Sequence, residues 1–569
     1  VNYGMVPVLS TADNTTIGAL AGNPGTQGAV HDNYWDSQII IIGAIGNADL
    51  EGMNGVETSV LTSGTPLEGF DSQLWDFTAG QYPVLKQFAD EELLAKARKV
   101  VVTMEAGITA KDMSRDAQLS DVDGLVWSLK EQNAFTIEGN VLKSPVEVQD
   151  LTVNTLVADW DGYKKEIEIK RAPNVPLAGE GTAENPYQIT SAADWNNLSD
   201  YMTTVAESLE GKFLKVTADI DFTDTEFKML ASDGVTVFSG SLDGDNKRIS
   251  GISFTPTAAF QGAICTVGES GSVSNLTLAG DVETAMASTG GFTGEVYGTL
   301  INCVNEINVN STKGNDVSGF GRLYATARLT DCVNKGNISG TGTNIAGLSA
   351  EVDNGVELIC CGNEGTVTNN AKGNYTAGLI AEAHPIYLEE CYNKGDVVTQ
   401  ENSAKNVAGL IAYATASSSD KGTMELYRCW NEGDVTGLAV VGGLIAATTS
   451  STTTKNPLIL RECYNTGTIT AYATGASSSP TAGLAAFYNI GSQFIDCYNE
   501  GAINSTNQYT AGIAAYPKAK ASVDSPTLFS GCYNVGKIVS TNHHAAGIVG
   551  NISDYVTVQG CYNKADVEG

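Results

Sequence analysis

Positive charge is scarce in this chain: 32 Lys and Arg stand against 65 Asp and Glu, a formal net charge of −33 across 569 residues. Nucleic-acid binding needs cations on phosphates, so this deficit argues against it and against a base-assisted groove rich in Arg or Lys. Long apolar runs are missing too. None reaches the ~18 residues of a membrane-spanning helix, so no transmembrane helix is expected. Histidine occurs four times (His31, His384, His543, His544) and never as His-Glu-x-x-His, which removes the zincin signature. The phosphate loop, the dinucleotide fingerprint and the G-x-S-x-G elbow are absent as well. No C-x-x-C occurs among the 11 cysteines, which weakens any metal reading. After Met202 no stretch keeps a 3.6-residue apolar period for more than about two turns, so helical and leucine-rich repeats are not expected. The chain starts at Val1 without Met or a signal-peptide pattern and stops at Gly569 just after a repeat phrase. It reads as a processed product or a window on something longer.

What the chain has is a repeat. Cys303, Cys332, Cys361, Cys391, Cys429, Cys463, Cys497, Cys532 and Cys561 each open a version of C-x-N-x-G/A/I-x-I/V, separated by 29, 29, 30, 38, 34, 34, 35 and 29 residues. The third residue of each phrase is Asn305, Asn334, Asn363, Asn393, Asn431, Asn465, Asn499, Asn534 or Asn563. A second phrase keeps step with the first, as in Gly378-Leu379-Ile380, Gly409-Leu410-Ile411 and Gly443-Leu444-Ile445. A fixed period of 20–50 residues marks a solenoid, propeller or array. Short β-favouring runs such as Leu458-Ile459-Leu460, bounded by Gly, Asn, Asp and Ser, fill each period. Most periods are too short for a four-stranded blade. The pattern therefore predicts an all-β protein built on a right-handed parallel β-helix with coils of about 29–35 residues, paired at ~4.8 Å.

In such a stack equivalent residues form columns. The cysteines are expected to point inward as free thiols, because in-register Cβ atoms ~4.8 Å apart do not suit a disulfide. The asparagines are expected to bond the backbone of the next coil, and the glycine two positions later to take a positive φ. Cys360, beside Cys361, is expected on the opposite face of a strand.

Three regions follow in order. Residues 1–88 read as the C-terminal coils and cap of a β-helix, with Asn33-Tyr34-Trp35-Asp36 in place of a Cys-Tyr-Asn phrase and aromatics from Phe70 to Phe77 closing the end. Residues 89–172 hold six or seven short strands punctuated by Asp123-Gly124, Glu138-Gly139-Asn140 and Asp161-Gly162, the pattern of a small β-sandwich. Lys170 to Pro173 begins a linker. Residues 173–569 form the main β-helix, opened by Ser191-Ala192-Ala193-Asp194, a helix start that leads into Trp195, Leu198 and Met202 on one face. Ser/Thr-rich insertions (416–421, 448–455, 476–481) emerge at corners as loops.

Gly179-Glu180-Gly181-Thr182-Ala183-Glu184-Asn185-Pro186-Tyr187-Gln188-Ile189, Asp219-Ile220-Asp221 and Phe238-Ser239-Gly240-Ser241-Leu242-Asp243-Gly244 resemble the GLUG-type repeat proteins. So do the glycine phrases, although most carry Ala where a fourth Gly would stand, as at Ala381 and Ala412; Gly294 and Gly550 keep it. The resemblance covers 179–569 and, more weakly, 1–88, and residues 90–172 resemble a bacterial immunoglobulin-like module. Proteins of this kind are bacterial, secreted or surface-bound, including adhesin-like proteins and non-catalytic regions of immunoglobulin A-specific metallopeptidases. The resemblance implies a non-enzymatic, extracellular structural or adhesive protein without a cofactor. Its expected partners are its own copies end to end, assembling into fibres, or a glycan or protein of a host or cell surface. The competing expectation is a β-helix enzyme acting on polysaccharide, for which the best carboxylate cluster is Asp219, Asp221, Asp224 and Glu226, with Asp243 and Asp245 a coil away.

Overall fold

The computed structural model describes residues 173–569 apart from 206, 371–373, 401–404, 416–422, 450–456, 473–478, 490, 518–525, 543 and 553–554. Before them it describes 33–36, 53–56, 58–61, 63–68, 70–77, 83–85, 100–104, 110–113, 125–144, 152–160 and 163–171. The chain divides into two compact units, Val1–Val175 and Pro176–Gly569.

In the first unit, Asn33–Asp36 pairs in parallel with Met53–Val56, and Phe70 packs on Trp75 with ring centroids 4.6 Å apart. Among the described residues between 100 and 171, seven strands follow. Four form one sheet in the order Val100–Met104, Tyr163–Arg171, Thr152–Trp160, Val126–Leu129; three form another from Ala110–Asp112, Val141–Lys143 and Thr136–Glu138. The register of the long antiparallel pair runs from Thr152 opposite Arg171 to Trp160 opposite Tyr163. Alternation does most of the sorting: Leu156, Ala158, Ile167 and Ile169 are fully buried, whereas Thr155, Asp159, Glu166, Glu168 and Lys170 reach solvent; Val157 is buried as well. Lys170 and Arg171 end this strand rather than starting a linker, and the Arg171 side chain is fully buried.

The second unit is a parallel β-solenoid. A representative coil carries five short strands: Tyr375–Ala377, Ile380–Ala383, Tyr387–Glu389, Tyr392–Asn393 and Val397–Thr399. Each pairs in parallel and in register with the equivalent strand of the next coil, as Leu388 does with Leu426 and Asn393 with Asn431. Inward positions are filled by columns of similar apolar residues. Leu300, Leu329, Leu358, Leu388, Leu426, Leu460, Phe494 and Phe529 form one; Ile338, Val367, Val397, Val435, Ile469, Ile503 and Ile538 form another, and all are at most 1 % exposed. Burying each such side chain stabilises by about 1.5–3 kcal/mol.

The helix Ala192–Val205 covers the first coil with Trp195, Leu198 and Met202. Ser191 Oγ accepts from the Asp194 amide at 3.2 Å, and Asp194 Oδ2 accepts from the Thr190 amide and hydroxyl. Two side chains stitch the helix down: Trp195 Nε1 donates to the Lys228 carbonyl and Ser199 Oγ to that of Met229. Among the described residues, no helix is long and apolar enough to cross a membrane.

Candidate functional site

The repeated Cys phrase forms one corner of each coil, and every position in it has its own task. The residue before each cysteine lies in the left-handed region: Asn302, Asp331, Cys360, Glu390, Arg428, Glu462, Asp496, Gly531 and Gly560 have φ between 50° and 65°. That residue turns the chain, so Cys360 sits on the corner rather than in a strand. The phrase cysteines Cys303, Cys332, Cys361, Cys391, Cys429, Cys463, Cys497 and Cys532 are fully buried, Cys360 is partly exposed, and all are free. Each donates its thiol to carbonyls, as Cys391 does to Leu358 at 3.3 Å and Glu389 at 3.4 Å. Burial raises the thiols of Cys332, Cys361, Cys391, Cys463 and Cys497 well above the ordinary value.

The asparagines bond one another instead of the next coil's backbone. Nδ2 of Asn305, Asn334, Asn363, Asn393, Asn431, Asn465, Asn499 and Asn534 each donates to Oδ1 of the next coil's asparagine at 2.7–2.8 Å. The other Nδ2 hydrogen goes to the carbonyl two residues on, as from Asn431 to Gly433. Both donor hydrogens are thereby satisfied in a dry interior, as buried amides require.

The two phrases keep step because they meet inside the coil. A Cβ on Gly378 would stand 2.2 Å from Oδ1 of Asn393, and Cβ atoms on Gly347, Gly409, Gly443 and Gly483 would stand 2.2–2.8 Å from Asn363, Asn431, Asn465 and Asn499. The glycine of the Cys phrase does not take a positive φ. Its role is steric: Cβ atoms on Gly395, Gly433, Gly467 and Gly501 would lie 1.9–2.1 Å from the carbonyl oxygen of the equivalent glycine one coil back.

Between Cys and Asn the side chain points out. From Cys391 onward this position is Tyr392, Trp430, Tyr464, Tyr498, Tyr533 and Tyr562, a stack with centroids 4.8–5.9 Å apart and planes within 17°. Tyr392 Oη donates to Glu364 and Trp430 Nε1 to Glu432.

The densest group of titratable side chains lies elsewhere. One outward column runs Glu295, Arg322, Glu351, Glu382, Tyr413 in register through successive coils. A neighbouring column, Asp316, Asn344, Tyr375, approaches it across the glycine bend, and Tyr375 stacks on Tyr413 at 4.6 Å. Arg322 Nη2 reaches Glu351 at 2.8 Å and Asp353 at 3.2 Å; Tyr324 Oη donates to Glu295 at 2.5 Å; Asn344 Nδ2 donates to Asp316 at 2.8 Å. Burial raises the carboxyls of Asp316, Glu351 and Glu382 above the usual range, with Arg322 and His384 opposing it at Glu351. Burial also pushes the Tyr375 phenol up to about 12.

The sequence-level carboxylate cluster behaves differently. Asp221 caps the Thr223 amide and hydroxyl, which lowers its pKa; Asp219 accepts from the Arg248 amide, and Asp243 from the Asp245 amide. The contacts of Asp221 and Asp243 hold local turns, and that of Asp219 ties one coil to the next. His544 stacks on Tyr509 at 4.8 Å, and His543 lies outside the described residues, as do 416–421 and most of the other insertions. Among the described residues no group of three or more His, Cys, Asp or Glu could hold a metal ion.

No family model matches the chain. Over 144 residues it is 35 % identical to a Gly-rich membrane protein of Evansella cellulosilytica, covering 24 % of this chain and 16 % of that protein. Over 151 residues it is 28 % identical to halomucin of Haloquadratum walsbyi, covering 25 % of this chain and 2 % of that one. The chain thus spans a small fraction of the length of these relatives. A Bacteroides ovatus chain described as an immunoglobulin A1 protease aligns with 68 % of this chain and 86 % of its own, at 14 % identity and a TM-score of 0.29. A second IgA1 protease aligns with 77 % of this chain and 27 % of its own, at 12 % identity and a TM-score of 0.25, and neither likeness carries an argument about activity.

Proposed function

We propose that this chain is a non-enzymatic structural region of a larger surface or secreted protein, a stiff extracellular stalk of the GLUG-repeat type that presents coil faces and loops to its surroundings. The observation that carries this reading is where the repeated residues go. The asparagines, cysteines and glycines of every period are consumed in joining one coil to the next, and the tight glycine columns leave no room for them to do anything else. The matched stretches in a membrane protein and in halomucin support a place at a cell surface. The partners that suit such a stalk are its own copies or a surface glycan or protein. The test is immunogold electron microscopy of producing cells, paired with the intact mass of the released protein. Rods at the surface or in the medium support the reading; label confined to the cell interior refutes it.

A second reading has one observation in its favour. Glu351 and Glu382 are half-buried carboxylates one strand spacing apart, beside Arg322 and Tyr324, a group set that acid–base chemistry on a polysaccharide could use. New reducing ends or unsaturated products from a polysaccharide panel, lost in Glu351→Gln and Glu382→Gln, would establish it.

A further inference from the structure

The first coils carry an open depression of about 410 Å³ that none of these roles uses. Its floor is a small grid of outward side chains on three stacked strands. Phe213, Ser241 and Ser272 form one column, and Lys215, Asp243 and Ser274 the other, each in register. Leu214 and Leu242 alternate with them and are buried, so the strand pattern holds the grid residues outward. One side is walled by Ala183, Glu184 and Pro186. That wall is fixed: the Glu180 amide donates to the Asn185 carbonyl at 2.9 Å, and the Asn185 amide to Thr182 Oγ1 at 3.1 Å. Gly181, at φ 71°, lies so close to the Tyr187 ring that a Cβ would stand 2.4 Å from it. Much of the Gly179–Ile189 motif thus builds and braces this wall.

The chemistry of the floor is specific. Phe213 is 40 % exposed, an apolar face kept in solvent beside polar neighbours. The hydroxyls of Ser241, Ser272 and Ser274 have no hydrogen-bond partner among the described residues. Asp243 uses Oδ1 for the Asp245 amide and Asn275, leaving Oδ2 without a partner among the described residues. Lys215 and Lys247 share Asp245 at 3.3 and 3.9 Å, and Lys215 also acts on Asp243; with Glu184, the carboxylates here outnumber the two lysines and the depression stays slightly negative. An aromatic platform beside unpaired hydroxyls and a carboxylate suits a ligand with one apolar face and a rim of hydroxyls. The local charge disfavours an anion.

We propose that this depression binds a neutral pyranose, one sugar ring of a glycan, stacked on Phe213 and hydrogen-bonded by Asp243 and the three serines. The site goes beyond the stalk reading and stands on its own geometry. Saturation-transfer NMR on the intact chain tests it, with the methyl glycosides of glucose, galactose, mannose and N-acetylglucosamine as probes and methyl glucuronide as the anionic control. At least one neutral glycoside is expected to receive saturation with weak, millimolar affinity. Phe213→Ala and Asp243→Asn should each weaken it at least tenfold without moving the melting temperature, and the glucuronide should stay silent. If the serines act as proposed, Ser272→Val weakens binding too. Silence from all four neutral probes, transfer that survives both substitutions, or preference for the glucuronide would overturn the proposal.

Discussion

Replacing Asn431 by Ala cuts the amide ladder near its middle, and the cost can be worked from its contacts. Asn431 is fully buried. It accepts from Asn393 at 2.7 Å and donates to Asn465 and to the Gly433 carbonyl, each at 2.8 Å. Its removal orphans one hydrogen of Asn393, the Asn465 oxygen and the Gly433 carbonyl, at about 1–3 kcal/mol per buried group. Partial relaxation brings the expected loss to about 3–6 kcal/mol, before any contribution from the void. The same change at Asn563, which is exposed at its end of the ladder and bonded to Asn534 on one side, is expected to cost at most about 1 kcal/mol. Urea unfolding of the full chain, followed by circular dichroism, measures both, and amide exchange should rise on the coils flanking Asn431, because a solenoid holds each coil only through its neighbours. Equal costs at Asn431 and Asn563, or a loss under about 1 kcal/mol at Asn431, would refute the claim that the ladder holds the coils together.

Four further outcomes are expected. A thiol reagent such as Ellman's should label Cys360 and Cys561 in the native chain and the nine buried cysteines only on unfolding; prompt reaction of all 11 would contradict the packed column. Because burial raises the thiols of Cys332, Cys361, Cys391, Cys463 and Cys497, the unfolded chain loses those protons first, so stability should fall as pH rises above about 8.5, by up to ~1.4 kcal/mol per unit for each of these thiols; a denaturation midpoint flat from pH 8 to 10 would count against it. Gly395→Ala should destabilise by about 3 kcal/mol or more, since its Cβ meets the Gly365 carbonyl oxygen, whereas Cys360→Gly, at φ 54°, should be neutral or gain up to about 1 kcal/mol in urea unfolding. The raised carboxyl of Glu382 favours folding when protonated and loses that contribution as pH rises through its folded pKa, so Glu382→Gln should raise the melting temperature at pH 7 and change it little at pH 4.

Periodicity made the architecture legible in the sequence, because a residue that recurs once per coil must fall in one column. The partners within a column were harder to read. Asn in a turn ordinarily bonds backbone, and only the folded coil brings amide against amide. The left-handed corner left no trace in residue type, since Asn302, Asp331, Cys360, Glu390 and Arg428 all take it under the constraint of the strands they join. The acids of the outward column through Glu351 did leave one. Glu295, Glu351 and Glu382 each stand four residues after a phrase glycine, Gly291, Gly347 and Gly378, a fixed offset that places them in one column. That offset was obscured because Arg322 and Tyr413 interrupt the run of like residues. Asp219 and Asp221 drew attention as adjacent acids, yet clustering along the chain says little where the neighbours that matter are a coil away.

The one-way amide ladder bears on how such a gene can change. Every asparagine asks the same thing of the coil on either side, and the bond stays at 2.7–2.8 Å whether the intervening chain is 29 residues or 38. A recombination event that dropped or duplicated one whole period would therefore leave the join chemically unchanged. Length and loop content could drift between lineages through unequal crossing-over, while a single residue inserted within a strand, rather than at a corner, would turn the rest of that strand's side chains to the wrong face.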